Sequence, residues 1–101
     1  MKRPIPAQTR LAAASIGENL ASWRKINRLT SSQVAEKAAV SRATISRIEN
    51  GDPTVSFATF LNVCRTLGIL DLVAKATDPY ETELGRIRAD QALPQRVRGS
   101  R

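Results

Sequence analysis

Arg42, Ala43, Ser46, Arg47 and Asn50 stand at i, i+1, i+4, i+5 and i+8, a spacing that gathers side chains on one face of a helix. Two guanidinium groups on a face whose other members are small can approach the floor of a DNA major groove. There arginine pairs with a guanine edge and alanine lies against a thymine methyl. Ile45 and Ile48 point to the opposite side, toward a core. Such a stripe needs a short helix locked in place by its back. The surrounding residues 30–50, TSSQVAEKAAVSRATISRIEN, supply that setting, because Val34, Ala35, Ala38 and Val40 continue the apolar side. Two short helices joined by a tight turn are predicted.

A chain of 101 residues has the size of one small domain. Its net charge of +7 and isoelectric point near 10.8 point to an anionic partner. Nucleic acid comes first, since no long amphipathic basic helix reads as a membrane binder. A single cysteine gives no disulfide framework, and the lack of histidine removes the usual group for acid–base chemistry and metal ligation. Composition thus argues against catalysis and against a metal or cofactor site. No apolar run approaches a membrane span and the amino terminus lacks the apolar core of a signal peptide, so a cytoplasmic protein is expected.

The stretch LTSSQVAEKAAVSRATISRIENGDPTVSFATFLNVCRTLGI resembles the helix-turn-helix domain of the Cro and phage-repressor (Xre) family, with SRATISRIENG in the place of its recognition helix. The likeness covers about residues 16–73. It implies an all-α, five-helix, lambda-repressor-like domain in a bacterial protein that binds double-stranded DNA. Motif position gives base edges to Arg42, Ala43 and Arg47, with Ser46 on the same stripe, while Thr44 could reach bases or backbone. Phosphate contacts fall to Asn50 and Thr54 and to helix starts carrying Ser31, Gln33 and Ser41. The resemblance also implies a structural ion pair between Arg24 and Glu49 that helps to position the recognition helix. Two residues depart from the family pattern. Ser31 stands where glutamine is common, and Ala39 where glycine is usual; a left-handed alanine would cost about 1–2 kcal/mol.

Residues 1–15, MKRPIPAQTRLAAAS, read as a basic arm, because Pro4 and Pro6 oppose regular helix at the beginning. Such an arm either touches DNA or simply frays. A first helix is predicted over 16–27, capped by Ser15 with Glu18 and presenting Ile16, Leu20 and Trp23 to the core. Gln33 completes a capping box with Thr30, and Ser41 caps the recognition helix. A fourth helix over 56–67 turns Phe57, Phe60, Leu61, Cys64 and Leu67 inward, and Gly68 stops it. A short fifth helix over 70–75 closes the core in part and leaves apolar surface suited to a dimer contact.

The character changes at Thr77. The segment 77–101, TDPYETELGRIRADQALPQRVRGSR, alternates charges and clusters few apolar residues, although Tyr80, Leu84 and Ile87 can form an amphipathic turn or two. Its close, LPQRVR at 93–98, is similar to the end of HipB-type antitoxins, the Xre-family partners of HipA-like serine/threonine kinases. The preceding DPYETELGRIRAD resembles their segment between domain and tail. That likeness implies a partner-binding tail using Tyr80, Leu84, Leu93, Pro94, Arg96, Val97 and Arg98. The sequence is therefore divided into an arm at 1–15, a DNA-binding domain at 16–76 and a tail at 77–101. The implied protein is a homodimeric repressor of a palindromic operator with half-sites about 34–36 Å apart. It would also be an antitoxin that neutralises a HipA-like kinase and autoregulates its operon, needing no cofactor and no membrane. A stand-alone Xre-family regulator and a pure protein-binding module are the alternatives, the second disfavoured by the arginine stripe.

Overall fold

Hydroxyl side chains start four of the helices in this chain. In the computed structural model, which describes residues 3–93, Thr30, Ser41, Ser56 and Thr82 each accept a hydrogen bond from the backbone N–H three residues on, at 2.9–3.1 Å. These caps open α2 (Ser31–Ala38), α3 (Arg42–Glu49), α4 (Phe57–Leu67) and α6 (Glu83–Ala92). Gln33 reaches back to the Thr30 N–H at 2.8 Å and completes a capping box. Each such cap stabilises its helix by about 1 kcal/mol.

The helix ends share a second device. After α1 (Ala7–Ile26), α2, α3 and α4 the chain turns through a left-handed residue: Arg28, Ala39, Gly51 and Gly68, with φ of 59°, 59°, 81° and 80°. The N–H of the residue that follows returns to a helix carbonyl: Leu29 to Arg24, Val40 to Ala35, Asp52 to Arg47 and Ile69 to Cys64, at 2.9–3.0 Å. Ala39 is thus left-handed without being glycine. The turn between α2 and α3 keeps its geometry and carries the strain.

The first helix corrects the expected arm. Residues 7–15 are helical and form the first half of a 20-residue α1 that follows Pro6, with no side-chain cap and no break at Ser15. Proline at a helix start loses no intrahelical hydrogen bond, and the alanine-rich AQTRLAAAS has high helix propensity, so the helix begins as soon as the prolines end. A further correction is the number of elements. Among the described residues there are six α-helices rather than the five expected, with α5 (Leu70–Ala76) and a single 3-10 turn, Pro79–Glu81, preceding α6.

One compact unit ends at Leu70 and a second begins at Asp71. In the first, Leu20, Val34, Ala35, Ala38, Ile45, Ile48, Val63, Cys64, Leu67 and Ile69 are buried. Here α4 differs from expectation, because it buries Val63 along with Cys64 and Leu67 while Phe57 is 72% exposed. Phe57 is the first residue of its helix and projects beyond the core, where its ring stacks on half-buried Phe60 at 6.5 Å. Trp23 is only half-buried. An apolar groove of about 410 Å³ runs between the first half of α1 and the start of α4, lined by Ala12, Ala13, Ile16, Val55, Phe57 and Phe60 among others.

The second unit holds α6 against the 3-10 turn. Asp78 accepts the Tyr80 N–H at 2.9 Å, Arg86 donates to the Tyr80 carbonyl at 2.9 Å, and Ala89 is buried. Leu84 and Ile87 remain more than half exposed.

Two glycines bring α1 onto the end of α3. A Cβ on Gly17 would meet the Ile48 carbonyl oxygen and lie 2.8 Å from that of Glu49. Left-handed Gly51, just past α3, would place a Cβ 2.7 Å from the Ala14 Cα. Both contacts are backbone against backbone, so neither neighbour can turn aside. Replacing Gly17 with alanine is expected to destabilise the fold by about 2 kcal/mol, although alanine is the better helix former by about 1 kcal/mol. Urea unfolding monitored by circular dichroism measures this, and a stabilised variant would show that the helices can separate at no cost.

Candidate nucleic-acid interface

The back of α3 is fixed first. Ile45 is 1% and Ile48 6% exposed, and between them they orient every other side chain of the helix. Arg42, Ala43, Ser46, Arg47 and Asn50 are consequently all exposed. Ser41 is exposed too, while Thr44 is half-buried and shares a 2.9 Å hydroxyl–hydroxyl hydrogen bond with Ser41, so its side chain belongs to the cap. At the start of α2 Ser31 is half-buried. The Gln33 carbonyl oxygen is occupied by the capping box, and its NH2 group keeps two donors.

A second anchor holds the far end of α3. Arg24 of α1 donates from Nε to Glu49 Oε2 at 2.7 Å and from Nη2 to Oε1 at 3.1 Å, a two-pronged pair. Its third donor group, Nη1, reaches the Leu29 carbonyl at 3.2 Å and ties the end of α1 into the same cluster. The hydrogen bond to Glu49 raises the Arg24 pKa against the opposing effect of burial. With side chains only 16% and 17% exposed, the pair carries positional information even where its net stabilisation is small.

The two arginines of the outer face are in different states. Arg42 has no carboxylate partner among the described residues. Arg47 is tethered. Its Nε donates to Asp52 Oδ2 at 2.8 Å and its Nη2 to Thr54 Oγ1 at 3.1 Å. Thr54 in turn donates to Asp52 Oδ1 from its N–H at 2.8 Å and from its hydroxyl at 2.6 Å. The hydroxyl of Thr54 therefore accepts from one partner and donates to the other, which closes the network.

Asp52 was absent from the residues singled out in the sequence. A signal for it was present: an aspartate followed two residues later by a backbone N–H it can accept is an Asx turn, and Asp52-Pro53-Thr54 fits that pattern. The 50–53 stretch reads first as a helix stop, which hides the second use. Gly17 was also missed, because its role depends on a contact with residues 31 and 32 positions further on.

The remaining candidates come later in the chain. Tyr80, Leu84 and Leu93 belong to the second unit, with Leu84 and Leu93 exposed. Pro94, Arg96, Val97 and Arg98 fall outside the described residues. Among the described residues no three of His, Cys, Asp or Glu gather to hold a metal ion, and no helix is long and apolar enough to cross a membrane.

A family model described as a helix-turn-helix domain matches residues 15–76. The chain belongs to that helix-turn-helix family. No curated protein and no solved structure matches it. The matched span contains α2 to α5 and the later part of α1, while the first eight residues of α1 and all of α6 lie outside it. Within the matched span, α2 and α3 are consecutive short helices joined through left-handed Ala39.

The hydrogen bonds from Thr54 and then Arg47 lower the Asp52 pKa to about 2. An unfolded-state value near 3.9 sets the sign. The stabilisation from this carboxylate is complete above about pH 4 and disappears as the pH falls to about 2. Carboxyl NMR titration is expected to place the Asp52 midpoint near 2, and the R47A variant to move it upward. An ordinary midpoint in the native protein would mean that the network does not persist in solution.

Proposed function

We propose that this protein is a sequence-specific DNA-binding transcriptional repressor that acts as a homodimer on a palindromic operator. The observation that carries this reading is the outer face of α3: two arginines and three small or amide side chains, all exposed, on a helix whose back is buried in a helix-turn-helix core. Arg42, Ala43, Ser46 and Arg47 read base edges, with Thr44 at the cap. Phosphates are held by the amino-terminal ends of α2 and α3, through Ser31, Gln33 and Ser41, and by Asn50 and Thr54. The net charge of +7 adds sequence-independent attraction. For the dimer, the groove bearing exposed Phe57 supplies apolar surface that a second copy can cover.

The second unit carries the finer part of the proposal. Its likeness to HipB-type antitoxins supports a role in binding and neutralising a HipA-like kinase in a bacterial cytoplasm, with the protein repressing its own operon. Exposed Leu84 and Ile87 on α6 give a partner an apolar face. A stand-alone Xre-family regulator is the alternative. Nothing in this role requires a cofactor or a reaction on this chain.

Two experiments separate the parts. An operator is obtained by selection from random duplexes, and R42A is expected to lose about 1–3 kcal/mol on that operator while binding scrambled DNA almost as before. Equal losses on both duplexes would move Arg42 from base reading to phosphate contact. Removing residues 77–101 is expected to leave operator binding intact and to abolish recovery of a kinase with the tagged protein from its native cells. Recovery of no kinase with the full chain would leave the stand-alone regulator.

A further inference from the structure

Arg47 spends one edge of its guanidinium inside the protein. Nε–H and one Nη2–H project from the same side of the planar group, and these are the donors taken by Asp52 and Thr54. The end edge, made of Nη1 and the other Nη2 proton, keeps its fork of donors. That fork suits the O6 and N7 acceptors of a guanine. The ion pair has little to offer stability, since Arg47 is 49% and Asp52 30% exposed. It does two other things. It fixes the plane and direction of a long side chain, and it sets a carboxylate against a cation that would otherwise seek any phosphate.

We infer that Asp52 is a specificity-determining residue of the proposed DNA-binding face: with Thr54 it holds Arg47 by its side edge, so that the end edge reads a guanine and the charge contributes little to non-specific attraction. This rests on the DNA-binding reading above. Thr54 acts here through Arg47 and Asp52, since its hydroxyl already donates to one and accepts from the other. Arg42 has no such partner among the described residues, so the restraint falls on Arg47 alone.

The variant that isolates the effect is D52N. Asparagine keeps a side-chain carbonyl for the Thr54 N–H and removes the charge that restrains Arg47. Binding is measured to the selected operator and to a scrambled duplex of equal length across a range of salt. D52N is expected to bind the scrambled duplex more tightly, with a salt dependence steeper by about 0.9 in log–log slope, and to lose about tenfold in the ratio of operator to scrambled affinity. In an R47A background the same substitution is expected to change neither slope nor ratio. A D52N protein with native slope and ratio would overturn the inference and leave the network as a turn clasp. An effect that persists without Arg47 would overturn it too, by showing that Asp52 acts through the field alone. Should D52N unfold, D52S keeps an oxygen for the turn and is read in the same way. Failure of the native protein to prefer any duplex would instead remove the DNA-binding reading itself.

Discussion

The close approach of α1 to the carboxyl-terminal end of α3 is the constraint on which the rest depends. Backbone meets backbone at Gly17 and Gly51, and the Arg24–Glu49 pair ties the same two helices further along α1. These contacts act on the last turn of α3, while Ile45 and Ile48 bury its back. A helix of eight residues is marginal by itself. Held at its core face, its amino-terminal cap and its far end, it becomes a rigid mount, and the five exposed side chains of its outer face inherit that rigidity. Precision in base reading requires such a mount, because a guanidinium fork misplaced by an ångström loses its bidentate geometry.

The two arginines on that face are held differently. Arg42 is open to solvent at the start of α3, while Arg47 is folded back into a network with Asp52 and Thr54. A face with two free cations would attract any duplex strongly and discriminate weakly, since phosphate contacts carry no sequence information. Pairing one cation shifts the balance toward discrimination. The same network makes Thr54 an internal partner, so a contact from it to phosphate must come by exchange of the N–H or hydroxyl bond it gives to Asp52.

What could be read from the sequence was what is decided locally. The α2–turn–α3 unit depends on caps and apolar spacings within a few residues: Thr30 with Gln33, Ser41 with Thr44, and Ile45 with Ile48 each reveal themselves in one turn of helix. The start of α1 was misread because Pro6 is ambiguous. Proline stops a helix it follows into and starts one that follows it, and the alanine-rich run after it decided for the second. Phe57 was misassigned because a helical period gives the angle of a residue around the axis but not whether the core extends that far along it. Gly17 and Asp52 escaped for a third reason. Their work is done across the fold or across a turn, where sequence spacing carries no periodic signal.

If the outer face of α3 reads guanine edges in a major groove, methylation interference reveals it base by base. Dimethyl sulfate modifies guanine N7, the acceptor that an arginine fork requires. On the selected operator, modification of symmetry-related guanines in each half-site is predicted to block binding, and the R42A and R47A proteins to become insensitive to one guanine each. Interference confined to adenine N3 in the minor groove, or absent altogether, would show that this face reads no guanine.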